Sequence, residues 1–317
     1  MCTPAPAPPQ PQTPPRAQAA PQAQAAPYPV QQAIASTPQP LPSPAPAPQP
    51  VTTAPRPLLP PLLGPLAWQA EVRAVVAEDV AALPPDNQMR VRGIPLVFDP
   101  NPFEINAYAS CDQQNNPAIV STEGLLEAID AIAQTKATDD LFGTHTYQQY
   151  LSAVIPNLAH SDKASAALPL GVIPLNLVAD ARRLSRAREW FDEIVSFTFG
   201  HELSHHWLGH TGCAYGPPNP LGLIPAWLTR AGHAFVQPAE NQADNEGTNT
   251  MLAAGKARVP QYRWTEEGAL ALLDFFLHLE DASGQTFVAF LATHPSSHLR
   301  IPWVQTSAGV WHFTHPG

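Results

Sequence analysis

Proline is unevenly spread along this chain, and that spread sets the first limit on what can fold. Residues 1–65 hold 22 of the 40 prolines, set mainly among Ala and Gln, and their only charges are Arg16 and Arg56. A ring that fixes φ and removes a backbone donor blocks helix and sheet ladders. No collagen-type glycine period is present, so the stretch cannot bury a core and reads as a disordered or loosely polyproline-like tether. Residues 66–317 then carry all 26 acids and 14 of the 16 bases, a net charge of −12 over 252 residues. That length suits one domain with a sizeable core. An acidic domain without a basic run is a poor binder of nucleic-acid backbone, so DNA and RNA are not expected partners. The best apolar stretch, residues 168–179, contains Pro174 and is too short to span a bilayer. Three cysteines make neither a disulfide scaffold nor a four-cysteine zinc module.

Trp68, Val72, Val75, Val76 and Val80 follow a helical period, which predicts a helix over residues 66–83 stopped by Pro84-Pro85. Residues 90–98, with Pro95 inside, read as an edge or irregular strand. Residues 104–110 and 118–121 read as two further strands around a turn-rich loop at 112–117. Thr122 then opens a helix with Leu125, Leu126, Ile129 and Ile132 on one face. Residues 135–187 show only short apolar pieces. A helix over residues 189–210 follows, with Gly212 placed to end it. Residues 217–220 read as loop, residues 240–254 as helix despite Gly247, and residues 265–280 as helix with Thr265 as N-cap. From His294 onward the chain reads as loop and short extended pieces. The expected fold is α+β, mostly helical with a small early sheet.

His201-Glu202-Leu203-Ser204-His205 places two imidazoles one turn apart on the same side of the 189–210 helix. Two imidazoles so placed can bind one tetrahedral zinc ion at about 2.0–2.1 Å. Glu202 is turned about 100° away along the helix. It can miss the metal yet reach a water beside it, as a general base must. One HExxH class takes its third ligand from a histidine six residues past the second, but Thr211 stands there. Another class takes a Glu from a downstream helix, with an Asp four residues later, and Glu240-Asn241-Gln242-Ala243-Asp244 supplies that pattern. Glu240 is then the third ligand, and Asp244 orients a ligand histidine through a hydrogen bond. Standing alone, the two acids would read as a solvated acidic helix start. Three protein ligands leave the fourth zinc position open, the mark of a catalytic site.

These elements, taken in order, resemble the HtpX-type and CAAX-prenyl-protease-type zinc metallopeptidases. The resemblance runs through Val97-Phe98-Asp99 with Ile105-Asn106-Ala107-Tyr108-Ala109 and then Ile119-Val120-Ser121-Thr122-Glu123-Gly124-Leu125-Leu126. It continues through the HExxH segment with His210, the Glu240 to Asp244 segment, and Thr293-His294-Pro295 with Arg300-Ile301. It implies a mostly helical metallopeptidase domain at 66–317, with a sheet edge strand beside the active site. It also implies zinc-dependent hydrolysis of peptide bonds, with a peptide or protein substrate laid antiparallel to an edge strand near residues 117–121. His294, His298 or Arg300 would assist the oxyanion, although each also reads as a surface histidine or as an arginine paired with an acid such as Asp244. Against the family pattern, residues 135–187 read as an insertion, either a lid or packing.

His206 faces away from the ligand side and reads as structural. His210 either approaches the cleft or caps the helix C-terminus, and capping is favoured. Met1-Cys2-Thr3-Pro4 has neither a charged n-region nor an apolar h-region. A leading cysteine before a long tether resembles a mature bacterial lipoprotein, which would place the chain in the cell envelope. Its membrane contact would then come only through lipid on Cys2. Cys111 and Cys213 would be a disulfide if the domain is exported, and two free buried thiols otherwise. The competing function is a metal-binding envelope assembly factor or chaperone-like protein with little or no proteolysis.

Overall fold

The computed structural model describes residues 57–112, 114–213, 233–260, 263–283 and 294–316, with side chains from residue 237 onward in the third segment. Cys2 and nearly all of the tether, the 217–220 loop and Thr293 lie outside the described residues. Eight α-helices and one three-stranded sheet are seen among the described residues. They are α1 (Pro65–Ala82), α2 (Pro85–Val91), β1 (Leu96–Asp99), β2 (Ala107–Cys111), β3 (Pro117–Thr122), α3 (Glu123–Phe142) and α4 (Thr146–Leu158). After these come α5 (Ala181–Trp207), α6 (His233–Lys256), α7 (Glu267–Ser283) and α8 (Ser297–Thr314). No described helix is long and apolar enough to cross a membrane.

Packing starts upstream of residue 66. Leu59 and Leu63 are buried, the Leu59 N–H donates to the Leu168 carbonyl (2.8 Å), and the Leu62 N–H donates to Asp130 Oδ1 (2.9 Å). Helix α5 is the axis of the fold. Every residue from Trp190 to Trp207 is buried, as expected of a helix enclosed on all sides, and α1, α2, α3, α6, α7 and the sheet all pack on it. Phe191, Ile194, Val195 and Phe199 join Leu125, Ile129 and Ile132 of α3 and Leu273 and Phe276 of α7 in one apolar core.

The sheet order is β1-β3-β2, with β1 parallel and β2 antiparallel to β3. The strand at 117–121 is therefore the central one, not an edge, and β2 is an edge strand. Asp112 folds the connecting loop by accepting the Gln114 and Asn116 N–H groups (2.9 and 2.8 Å). The expected strand over 90–98 is shorter, because Arg90 and Val91 belong to α2.

The segment 135–187 is built into the core. Helix α3 runs on to Phe142 before Gly143, at φ +62°, ends it, and α4 buries Tyr150, Leu151, Val154 and Ile155. Ala and Thr dominate the inner face of late α3, so an apolar-period reading passes over it. Helix α5 ends at Trp207, short of Gly212. The turn is made by Gly209 at φ +79°, with its N–H donating to the His206 carbonyl (3.1 Å) and the His210 N–H to the His205 carbonyl (2.8 Å). That pair of bonds is a Schellman cap.

The region after His294, expected to be irregular, is helix α8. Ser297, Arg300, Val304, Ser307, Ala308 and Trp311 form its buried face. Its first turn is capped by Ser296 and by the Glu280 carboxylate, which accepts the Ser297 N–H (2.9 Å) and the hydroxyls of Ser296 (2.6 Å) and Ser297 (2.7 Å). Pro302 removes a single helix bond, and small polar residues on the inner face hide the period.

Two carboxylates inside the core tie elements together. Asp130 Oδ1 accepts from the Leu62 N–H and from Trp68 Nε1 (3.3 Å). Glu193 Oε1 accepts the Thr265 N–H and hydroxyl (2.8 and 2.7 Å) and the Gly268 N–H (3.2 Å) at the start of α7. Burial pushes Asp130 up to about 6 and Glu193 up to about 7. Each then keeps in the folded state a proton that the unfolded chain releases at lower pH. The stability so gained is full below the usual carboxylate range and is lost as pH rises through about 6 and 7. Urea unfolding compared at pH 5 and pH 8 should show a fall that the Asp130→Asn, Glu193→Gln double variant reduces. An unchanged slope in that variant contradicts the assignment.

Cys111, the last residue of β2, is disulfide-bonded to Cys213, 102 residues on. A closed loop of that length constrains the unfolded chain by up to about 4–5 kcal/mol. Thermal unfolding with and without reductant is expected to show a marked drop in Tm on reduction.

Candidate metal centre

Two glycines let α5 and α6 cross at backbone contact. A Cβ on Gly247 would lie 2.9 Å from the His201 nitrogen, and a Cβ on Gly200 would lie 3.4 Å from the Gly247 Cα. Seven and three residues before Gly247, Glu240 and Asp244 sit one turn apart on the α6 face turned to His201 and His205.

The two histidine Nε2 atoms are 3.1 Å apart. Glu240 Oε2 is 3.3 Å from His201 Nε2, and Oε1 is 3.4 Å from His205 Nε2. A tetrahedral ion with bonds of about 2.0–2.1 Å needs donors about 3.3–3.4 Å apart, and these separations, two of them from different oxygens of Glu240, lie close to that value. The donor chemistry agrees. The second nitrogen of each imidazole already has a partner, Asp244 Oδ1 for His201 (3.0 Å) and His210 Nδ1 for His205 (3.0 Å). Two imidazole nitrogens and a carboxylate thus converge on one point, and the carboxylate is also met by His294 Nδ1 at 2.8 Å. Burial disfavours charge on His201, but hydrogen bonds to Asp244 and Glu240 outweigh it and push the imidazole up to about 9. Burial holds His205 well below the usual range, against the pull of Glu240. The cluster therefore holds a proton on His201, which a cation must displace. His201, His205 and Glu240 are positioned to hold a metal ion, and all three are buried.

Asp244 is fully buried. Although burial alone would raise it, the Arg300 guanidinium and His201 keep it below the usual range. Arg300 Nη2 donates to Oδ1 (2.7 Å) and Nε to Oδ2 (3.0 Å), the bidentate geometry in which such pairs are strongest. Arg300 thus holds Asp244, and its Nη2 also comes within 3.4 Å of His201 Nδ1. His294 comes closer, with Nδ1 2.8 Å from Glu240 Oε2 and Nε2 3.3 Å from the Ala107 carbonyl. His298 is exposed and pairs with Asp281 (2.9 Å), away from these groups.

Glu202 lies outside the His201, His205 and Glu240 set, although with His201 and His294 it forms a second group that could hold a metal ion. The Ala109 N–H of edge strand β2 donates to its Oε2 (2.7 Å). Its Oε1 lies 3.9 Å from His201 Nε2 and 3.7 Å from His294 Nε2. Burial raises its proton affinity, with His201 and His294 opposing. The strand beside the cluster is therefore β2 rather than residues 117–121. A cavity of about 20 Å³ adjoins His201 and Glu202, walled by Leu125, Phe197 and Phe276. None of its lining residues comes from 135–187.

His206 has the structural place expected, with its ring on the Ala118 carbonyl (3.1 Å) and the Thr211 hydroxyl (3.2 Å). The His210 side chain reaches His205 (3.0 Å), the approach to the cleft that the sequence allowed rather than the capping it favoured, and only the His210 backbone N–H closes the α5 cap. The visible signal was a histidine five residues past the second ligand, where the cap turns the chain back.

No protein family, no curated protein and no solved structure matches this chain.

Removing one ligand and removing one supporting partner should differ in degree. Glu240→Ala is expected to leave purified protein without a stoichiometric metal ion. Asp244→Asn is expected to bind the ion about 10–100-fold more weakly. Elemental analysis and chelator competition check both, and a stoichiometric metal in Glu240→Ala contradicts the ligand assignment.

Proposed function

We propose that this chain is a zinc-dependent endopeptidase in which Glu202 is the general base. One observation carries the reading: a buried carboxylate lies beside a three-donor metal set without belonging to it, anchored through one oxygen and turned toward the cluster through the other. Two imidazoles and one carboxylate suit zinc and leave a fourth position open. When bound, the ion lowers the pKa of a water and polarises a carbonyl.

The chain's own groups supply the rest. Glu202 Oε1 accepts the proton that the attacking water gives up, while the Ala109 N–H holds Oε2 still. Burial favours the protonated carboxyl, which then delivers that proton to the departing amine. His294, with Nδ1 on Glu240 and Nε2 facing Ala107 and Glu202, is the side chain best placed to stabilise negative charge on the carbonyl oxygen. Arg300 is a positioning residue that fixes Asp244 and, through it, His201. An extended peptide would meet the sheet at β2, where main-chain pairing gives affinity without sequence demand.

The order of sequence elements supports placing the chain with the HtpX-type and CAAX-prenyl-protease-type peptidases. The Cys111–Cys213 bond supports an exported, oxidising setting such as the bacterial cell envelope, with lipid on Cys2 as the proposed anchor.

Glu202→Gln keeps shape and removes the base. It should retain zinc and lose about 10²–10⁴-fold of wild-type cleavage of an unfolded protein such as casein. Undiminished cleavage contradicts the assignment. A zinc-loaded wild type inert toward broad peptide libraries would instead favour the assembly-factor reading.

A further inference from the structure

The two histidine ligands are supported in opposite ways. His201 Nδ1 meets Asp244, a carboxylate neutralised by Arg300. His205 Nδ1 meets a second imidazole, His210, at 3.0 Å, and His210 Nε2 meets Gln242 Oε1 at 3.1 Å. Gln242 belongs to α6, two residues after the ligand Glu240, so this chain of contacts closes a loop from one metal-bearing helix to the other.

Donor and acceptor chemistry fixes the direction of every bond in it. A neutral imidazole carries one N–H and one lone pair. For His205 Nε2 to offer its lone pair to a cation, the proton must sit on Nδ1. That N–H can point only at the His210 Nδ1 lone pair, so the His210 proton must sit on Nε2. An N–H there requires an acceptor, and the Gln242 amide oxygen is one. All three groups are satisfied while uncharged, and any other tautomer sets two N–H groups or two lone pairs against each other.

We propose that His210 and Gln242 form a neutral tautomer relay that positions His205 as a metal ligand: Gln242 fixes the His210 proton on Nε2, and His210 fixes the His205 proton on Nδ1. The relay rests on His205 being a ligand and not on the peptidase reading. It makes His210 and Gln242 positioning residues. It also gives His205 a support without charge, where His201 has one with charge. The geometry needs Gly209, whose left-handed turn sends His210 back over the last turn of α5.

Zinc affinity measured by chelator competition, together with the melting temperature of the metal-free form, tests the relay. His210→Phe keeps a ring but has no acceptor, and Gln242→Leu removes the exposed end of the relay. The expected result is a zinc Kd raised about 10–100-fold in His210→Phe and by a smaller factor in Gln242→Leu. Gln242→Glu, which keeps the acceptor, should match or exceed wild-type affinity. Metal-free melting of Gln242→Leu should equal wild type, which separates positioning from folding. Long-range nitrogen–proton NMR of the zinc-loaded wild type should place the His210 proton on Nε2. A His210 proton on Nδ1, or zinc affinity within about twofold of wild type in both removal variants, overturns the relay while leaving the metal site standing. If His210→Phe does not fold, Gln242→Leu and the NMR decide alone. Failure of the wild type to bind zinc removes the metal reading and the relay with it.

Discussion

Helices α5 and α6 meet backbone to backbone where Gly247 lies against His201, and the remaining site geometry depends on that crossing. With side chains at the crossing, the two axes would stand farther apart, and the Glu240 oxygens could not come within 3.3–3.4 Å of both imidazoles. The crossing also delivers Asp244 to the back of His201 and Gln242 to the back of His210. A single contact thereby places a ligand and the supports of two others.

The charges in the cluster make sense only as a set. Glu202, Glu240 and Asp244 are three buried carboxylates, and among the described residues Arg300 is the one permanent cation bonded to any of them, at Asp244. Burying two uncompensated negative charges costs several kcal/mol per ion. A divalent cation among the donors brings the sum to neutrality, and a proton on His201 does part of that work without it. The neutral support behind His205 fits this balance, because a further carboxylate there would leave the interior negative again.

The centre was the most legible part of the sequence, since helix periodicity turns the spacing of His201, Glu202 and His205, and of Glu240 and Asp244, directly into shared faces. Helix α1, the start of α3 and the β2–β3 hairpin were legible for similar reasons, through Trp68 and Val72, through Leu125 and Ile129, and through the Asp112 turn, whereas the short α2 was not. Late α3 and α8 were not legible either, because their inner faces hold many Ala, Thr and Ser residues that pack closely but give a weak hydrophobic signal. Helix α4 does carry an apolar period at Tyr150, Leu151, Val154, Ile155 and Leu158, but Pro156 inside it argues against a helix. Strand order was misjudged because nothing local distinguishes a central strand of six residues from an edge. The side-chain role of His210 depended on a backbone reversal at Gly209, which a linear pattern does not display.

The hold on Glu202 comes from a main-chain donor, the Ala109 amide, rather than from a side chain. Any residue but proline at position 109 would still offer that N–H. The anchoring of this acid is thus written into the path of strand β2, and most side-chain changes at position 109 leave it in place.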